Sequence, residues 1–280
     1  MKNYSIFKDT MADMSFTEVE KLIKKEAVVL FPIGVIEEHG PHLPLGTDTY
    51  IAYSMFRHTQ QKLTEMAIPS VLAPPFYWGI NSITDGFTGS FTVKVDTMKA
   101  LLKDSMECLA NWGFKKVYLY NLHGDLKHVK TIIEIVEEIY QSNLTLEVYF
   151  LMSEFHQKRC GLNGDEPYIL AKRREDIKEN TTDKVNTTPT YIDCHGGGLE
   201  TSLMLMDFDD LVDEPLAREL KSSKTTIELF EKWRQGGKKA KEVTPLGYCG
   251  DPSNIRMDDA RNFVDATSLE LVELISKTLE

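Results

Sequence analysis

The sequence predicts an α/β fold with a mostly parallel central sheet. Short, continuously apolar segments alternate along the chain with longer segments whose apolar residues recur at helical spacing, and this pattern is typical of parallel β-α-β units. The chain has 280 residues, of which 42% are hydrophobic and 27% are charged, as is ordinary for a globular protein with a substantial core. We therefore predict one domain over residues 1–280.

The first half of the chain begins this alternation. Residues 16–26 have a helical apolar rhythm and follow Ser15, a residue type that favours the helix N-cap. The apolar run 27–34 then predicts a buried strand. Residues 49–66 predict a second helix, and residues 69–75 predict a second strand.

The strongest helix signal lies over residues 96–114. Asp96 is placed to cap the start of this helix, and Gly113 is placed to end it. The alternation continues with a strand, a helix and a strand over residues 115–124, 128–142 and 144–152.

The last third of the chain begins with a different composition. Residues 160–190 are polar and weakly periodic, so we predict an excursion or lid there and not a linker between domains. Residues 197–208 restore an apolar helical segment, and residues 258–280 predict a closing amphipathic helix.

Charge and cysteine content exclude several classes of function. The net charge of −11 and the pI near 5.2 argue against a nucleic acid or an anionic membrane as partner, because both require a basic face. No apolar run approaches the roughly 20 residues that cross a bilayer, and the start lacks a secretory signal. The four cysteines form no CxxC pair, so we expect a cytoplasmic chain with free thiols.

One segment concentrates titratable side chains in a constrained backbone. Residues 35–48, "VIEEHGPHLPLGTD", hold three carboxylates and two histidines among two prolines and two glycines. Glu37 and His39 are two positions apart, so in an extended segment they point the same way. Asp48 follows a proline-stiffened turn and can bridge two metal ions.

Two further loops carry the same residue types. "NLHGD" (121–125) follows the strand after residue 115, and "DCHGGGLETS" (193–202) precedes the apolar helix. Ligands in open α/β sheets bind beyond the carboxyl ends of the strands, so we expect these loops to converge. Crowded carboxylates repel one another unless a cation compensates, and mixed carboxylate and imidazole ligands suit Zn, Mn or Fe.

Each of these residues has an ordinary structural alternative when taken alone. Asp48 could cap a helix, His123 could be a hydrogen-bonded core histidine, and Gly196–Gly198 could form a plain turn. Three such clusters at one sheet edge favour the metal site.

The long motif resembles the opening signature of the creatininase (creatinine amidohydrolase) family. "PIGVIEEHGPHLPLGTD" is similar to that signature, in which Gln is usual where this chain has Glu38. "NLHGD" resembles the family's Asn-Gly-His loop, and "DCHGGGLETS" resembles its His-Ala-Gly…Glu-Thr-Ser element. The matches occur in order over residues 27–208.

The resemblance implies a three-layer α/β/α sandwich with a binuclear site for zinc, manganese or iron, assembled as a homohexamer of paired trimers. The implied metal ligands are Glu37, His39, Asp48, His123 and Glu200, with Asp48 bridging. Asp125 lies where creatininase has a metal-binding glutamate implicated in proton transfer; because aspartate is one methylene shorter, it could bind the metal directly or reach it only through water. His195 matches a histidine that acts on the ring amide as acid or base.

The family implies a metal-dependent hydrolase that uses metal-activated water on a small molecule. The leading hypothesis is cleavage of a cyclic amide or a related non-peptide C–N bond. One alternative is the opening of a keto-inositol or keto-sugar ring, and another is a metal-binding protein without catalysis. Glycines 196–198 leave room for a substrate, and their N–H groups could receive an oxyanion.

Overall fold

Five parallel strands form the centre of the molecule. The computed structural model describes residues 7–142, 144–172 and 191–279. The strands within these ranges are β1 (Val28–Ile33), β2 (Ser70–Leu72), β3 (Lys116–Asn121), β4 (Glu147–Ser153) and β5 (Ile169–Lys172). They pair in the order β2-β1-β3-β4-β5, and every pairing is parallel.

Helices cover both faces of the sheet. The helices in the described ranges are α1 (Phe16–Lys24), α2 (Thr47–Glu65), α3 (Val95–Trp112), α4 (Leu126–Tyr140), α5 (Glu154–Cys160), α6 (Gly198–Asp207), α7 (Glu214–Glu219), α8 (Ile227–Trp233), α9 (Gly237–Val243) and α10 (Met257–Ser276). The predicted α/β/α fold with a parallel sheet is confirmed. None of these helices is both long and apolar enough to cross a membrane.

Alternate strand residues separate two apolar cores. Val29 and Phe31 of β1 face one core with side chains of α3 and α4. Val28 and Leu30 face the opposite core with α2, α6 and α10. This alternation is the period of a pleated strand, and because both faces are covered, the strand has a continuous apolar sequence.

The sequence signals located the long helices well but missed short elements. Ser15 is the N-cap of α1 with a complete capping box, and Gly113 ends α3 with φ 108°. Asp96 is not a cap, because α3 begins one residue earlier with Lys94 as its N-cap; Asp96 lies in the first turn, where its charge favours the helix dipole.

The predicted excursion contains part of the sheet. Residues 169–172 form the edge strand β5, which pairs with β4, so the excursion does not span 160–190. The rest of the predicted lid, residues 173–190, lies outside the described residues. The prediction of one domain stays a prediction.

Helices α5, α7, α8 and α9 have six or seven residues each, too few for a clear periodic signal.

The connections place a crevice at the carboxyl ends of β1 and β3. The chain passes from β1 through α2 to β2, then crosses through α3 to β3 on the other side of β1. Ile33 at the end of β1 lies beside Asn121 at the end of β3. Such a reversal of strand order is where ligands bind in open α/β sheets.

We predict that Leu30→Ala lowers the free energy of unfolding by about 2–5 kcal/mol, because it leaves a cavity beneath α2. Leu30 is fully buried. Leu269→Ala on the exposed side of α10 is the matched control, with an expected change within about 0.5 kcal/mol. Urea denaturation measures both, and equal losses in the two variants would contradict this description of the core.

Candidate metal centre

The segment after β1 folds back on itself and delivers its acidic residues to the crevice. The chain reverses at Gly40, whose φ of 78° favours glycine. The Glu37 N–H donates to the carbonyl of Leu45 at 2.9 Å and closes the loop. Helix α2 then starts after Gly46, its N-cap, so Asp48 lies inside the first turn and does not cap the helix.

Asp48 lies between two histidines from different strand ends. Its Oδ1 is 3.2 Å from Nε2 of His39, and its Oδ2 is 3.0 Å from Nδ1 of His123. The Asp48 side chain is 3% exposed and the His39 side chain 0%. One buried carboxylate therefore faces two imidazoles with its two separate oxygens.

Backbone carbonyls determine which ring nitrogen of His39 and of His123 carries hydrogen. Nδ1 of His39 lies 3.1 Å from the carbonyl oxygen of Glu37, and Nε2 of His123 lies 3.0 Å from that of Ile80. A carbonyl oxygen only accepts, so each of these nitrogens carries hydrogen and donates. In the neutral rings, the nitrogens on the side of Asp48 then carry lone pairs that are available to a metal ion, as in metal-ligating histidines, whose other nitrogen donates to a carbonyl or carboxylate.

Charge in this cluster is unbalanced without a bound cation or added protons. Burial lowers the pKa of His39, but the surrounding carboxylates, Asp48 foremost, outweigh burial and raise it to about 10. For His123, burial is outweighed in the same way by Glu37 and Asp48, and its pKa lies well above the usual range. A positive charge between the carboxylates and the rings is therefore strongly favoured.

The predicted ligands form two groups that share Asp48. The first combines Asp48 with Glu37 and His123, and the second combines it with His39 and Glu200; within each group the ligand atoms lie within 4.8 Å of one another. Glu37 Oε1 is 2.8 Å from Nδ1 of His123, and Glu200 Oε2 is 3.8 Å from Nε2 of His39.

These donors fit a pair of divalent cations. Carboxylate oxygens and imidazole nitrogens suit Zn, Mn or Fe, whereas Ca or Mg would be held by oxygen alone. The rings are oriented by backbone carbonyls, and Glu37 is fixed by other side chains. The Asn81 amide and the Thr84 hydroxyl donate to Glu37 Oε2 at 2.9 and 2.5 Å. Sequence reasoning missed both residues, which lie outside the acidic motifs.

His195 lies beside this cluster. Its ring centroid is 4.2 Å from that of His39, and its Nδ1 is 3.9 Å from Glu37 Oε1. Nε2 donates to the carbonyl of Glu38 at 2.7 Å. Because Nδ1 falls in a third possible ligand group with Glu37 and His39, the ring is placed where either a ligand or a proton-transfer role is feasible.

Asp125 has a different setting from the other predicted ligands. Its Oδ1 accepts from the N–H groups of Lys127 and His128 as the N-cap of α4. Its Oδ2 accepts from the Ser82 N–H at 2.7 Å and from the Ser82 hydroxyl at 2.5 Å. The structure does not bring Asp125 into any ligand group of described residues; one of its oxygens caps α4, and the other accepts from Ser82. A direct ligand role for Asp125 therefore has no support in this geometry, but Asp125 also lines the cleft beside His123 and His195, so its role in proton transfer stays a prediction.

The glycines after His195 have structural partners of their own. The Gly196 N–H donates to Glu200 Oε2 at 2.6 Å, and the Gly198 N–H donates to Asp193 Oδ2 at 3.1 Å. These two N–H groups are therefore not free to receive an oxyanion. Gly196 has φ 58°, and a Cβ there would lie 2.7 Å from the carbonyl oxygen of His39, so only glycine allows this loop to lie against the metal-binding segment.

A cleft opens beside the centre and is walled by residues from distant parts of the chain. It holds about 90 Å³ and is lined by Glu37, His123 and His195 together with Trp233 of α8. The Trp233 ring centroid is 5.7 Å from that of His195, and its indole N–H donates to the Thr244 hydroxyl. No local motif marks Trp233, which reaches the cleft only through tertiary packing.

Comparison with known proteins gives a family match over nearly the whole chain. The family model for Creatininase, described as creatinine amidohydrolase, matches residues 12–275. The mycofactocin precursor peptide peptidase of Mycobacterium ulcerans (strain Agy99) is 26% identical over 239 residues, covering 83% of this chain and 78% of that protein. The 3-dehydro-scyllo-inosose hydrolase of Thermotoga maritima is 25% identical over 167 residues, covering 58% and 52%.

Solved structures of creatininase share the fold. A mutant described as the zinc–zinc type aligns with a TM-score of 0.65 and 15% identity, over 99% of both chains. A manganese creatininase aligns with a TM-score of 0.63 and 16% identity, over 96% of this chain and 98% of that one.

We predict that Asp48→Ala abolishes tight binding of divalent metal, because both ligand groups lose their shared carboxylate. The matched variant Asp125→Ala should keep its metal and lose about 1 kcal/mol of unfolding free energy with its helix cap. Elemental analysis and urea denaturation measure the two effects. Metal loss in Asp125→Ala, at intact secondary structure, would make Asp125 a ligand as the sequence predicted.

Proposed function

The chain belongs to the creatininase family, and on that premise we propose that it is a metal-dependent hydrolase that cleaves an amide carbon–nitrogen bond in a small molecule. The single observation that carries the proposal is the buried Asp48 carboxylate, which presents one oxygen to His39 and the other to His123. A carboxylate whose two oxygens face two separate ligand groups could hold two metal ions side by side, as two-metal hydrolases require.

The residues that would hold the two ions follow from the two ligand groups. Glu37 and His123 would hold one ion, His39 and Glu200 the other, and Asp48 both. Ions bound there would polarise a substrate carbonyl and lower the pKa of a water toward about 7. Zinc or manganese is our proposal, and iron is also compatible with these donors.

His195 is placed to move a proton during bond cleavage. Its Nε2 is anchored on the Glu38 carbonyl, so Nδ1 is the atom that can carry or release a proton beside the cleft. An amide nitrogen leaves poorly unless it is protonated as the bond breaks, and a positioned acid contributes roughly 10²–10⁴-fold. His195 would supply that proton.

The surrounding side chains exclude water and fix the geometry. Glu37, His39 and Asp48 are at most 2% exposed, so the reacting atoms would meet few solvent molecules. The Asn81 and Thr84 bonds hold Glu37 in a single orientation. Preorganised groups of this kind do not have to reorganise during the reaction.

The class of amide is a further proposal. A cyclic amide or related non-peptide bond is our first candidate, as the family name suggests. The relative named a precursor peptide peptidase adds a peptide bond as a candidate, and the relative named an inosose hydrolase supports ring opening of a keto-inositol. Metal binding without catalysis is less well supported, because a storage site does not require His195 beside the ligands.

The assembly and cellular setting extend the same proposal. We propose a cytoplasmic homohexamer, as the family resemblance implies, with no nucleic-acid or membrane partner, in keeping with the net charge of −11. Light scattering coupled to size-exclusion chromatography measures the assembly.

The proposal predicts that protein loaded with Mn or Zn hydrolyses at least one member of a panel of cyclic amides, short peptides and keto-inositols. Asp48→Ala, loaded in the same way, should show no turnover. Mass spectrometry of the products identifies the bond that is broken. Turnover of keto-inositols alone would replace amide cleavage with ring opening, and equal turnover by Asp48→Ala would remove the metal centre from the mechanism.

We predict that His195→Asn lowers turnover by about 10²–10⁴-fold while metal content stays at the wild-type level. Steady-state kinetics and elemental analysis of the same sample separate the two possible roles. Loss of metal in this variant would make His195 a ligand, and unchanged turnover would exclude it from proton transfer.

A further inference from the structure

Two arginines stand where the inner cleft meets a larger outer groove. Arg159 and Arg234 line the cleft of about 90 Å³ beside the metal centre, and they also line an adjoining groove of about 490 Å³. A substrate whose reacting bond lies in the cleft would therefore extend past both guanidinium groups. The cleft itself has room for fewer than about ten heavy atoms.

The described contact of Arg159 holds its guanidinium group in place without neutralising the positive charge. It lies in α5, is half-buried, and its Nη1 donates to the carbonyl of Gly124 at 3.2 Å. That carbonyl belongs to the loop between His123 and Asp125, so the contact fixes the guanidinium beside the metal-binding loop. A neutral carbonyl orients the charge and leaves it in place.

Arg234 reaches the cleft from a different part of the chain. It follows α8 as the C-cap residue, one position after Trp233. Its guanidinium lies over the Phe230 ring at 5.8 Å and pairs with Glu231 at 3.2 Å. The Glu231 side chain is 61% exposed, and an exposed pair of this kind is weak, so Arg234 retains the capacity to bind a second anion.

The outer groove is more basic than the chain as a whole. Lys127 and Lys130 line it together with the two arginines. Its two acidic residues are engaged: Asp125 caps α4 with Oδ1 and accepts from Ser82 with Oδ2, and Glu134 pairs with Lys99 at 2.5 Å. In a chain of net charge −11, this excess of cations lies next to the candidate catalytic centre.

We propose that the substrate carries a carboxylate, which Arg159 and Arg234 bind at the junction of the cleft and the groove. The planar guanidinium matches a carboxylate with two parallel hydrogen bonds. This inference rests on the proposed hydrolase function and narrows its candidate amides, cyclic or open-chain, to those that carry a carboxylate reaching beyond the cleft, such as N-acyl amino acids or short peptides with a free carboxyl end. Neutral cyclic amides and keto-inositols offer no group for these arginines.

Affinity for the metal-loaded protein tests the inference separately from turnover, and mass spectrometry of the titrated samples shows whether any ligand was hydrolysed. Isothermal titration with N-acetylglycine, N-acetylglycinamide and inorganic phosphate compares a carboxylate, a neutral molecule of the same shape and a second oxyanion. We expect N-acetylglycine to bind at least about tenfold more tightly than the amide, the effect of a charge-assisted hydrogen bond. Arg159→Gln and Arg234→Gln should each remove most of that difference.

Matched variants control for charge and folding. Lys158→Gln removes one positive charge from the same helix, at an exposed side chain paired with Glu154, and should bind like the wild type. Arg159→Lys and Arg234→Lys keep the positive charge but lose the planar guanidinium. Their affinity for N-acetylglycine should lie between those of the wild type and the glutamine variants. Metal content and thermal unfolding are measured for every variant.

The outcomes separate this inference from the proposed function. Equal binding of N-acetylglycine by the wild type and both glutamine variants overturns the inference, because the carboxylate would then bind elsewhere, such as on the metals. Tighter binding of phosphate than of N-acetylglycine overturns the carboxylate assignment. Arginine-dependent binding in a protein that hydrolyses no substrate would support the inference and overturn the hydrolase function alone.

Discussion

The buried contact of Asp48 with two histidines is the constraint on which the rest of the site depends. Three carboxylates and two imidazoles share a space from which water is largely excluded. Like charges so close together are costly to bury unless cations compensate them. The stiff backbone of residues 35–48 accordingly holds these groups in one place, and the carbonyls of Glu37 and Ile80 orient the rings. The prolines and glycines of the motif therefore serve the chemistry of its side chains.

The chain's departure from the family signature at Glu38 has a simple structural setting. His195 is held by the backbone carbonyl of Glu38, not by its carboxylate, whose Oε1 lies 3.5 Å from the ring. Glutamate and glutamine offer the same carbonyl, so the anchor of His195 does not depend on which of them is present. The Glu38 side chain bonds instead to the N–H of Gly40, where the loop reverses.

Sequence analysis predicted the features of this protein that depend on local patterns of residues. Continuous apolar strands and long amphipathic helices predicted the parallel sheet, and strand ends rich in acid and histidine predicted where Asp48 and His123 meet. It could not predict contacts between segments that are distant along the chain. The four-residue strand β5 has too short a pattern, and Trp233 enters the cleft only because α8 packs over it. The role of Asp125 could not be decided from the sequence for a physical reason: one side chain suits both a metal and a helix N-terminus, and the N–H groups of α4 that surround it are visible only in the fold.

The pairing of β1 with β3 has a consequence for how such a protein can change over evolutionary time. The segments that carry His39 and His123 leave adjacent strands whose separation, about 4.8 Å, is set by backbone hydrogen bonds and not by side chains. The sheet thus helps to set the distance between the two ligand groups. A substitution on the surface does not change this strand spacing. Arg159 and Arg234 belong to short helices that contribute no strand to that sheet. Under the proposals made above, substrate preference would diverge through those helices while the strand spacing beneath the metal centre stays unchanged.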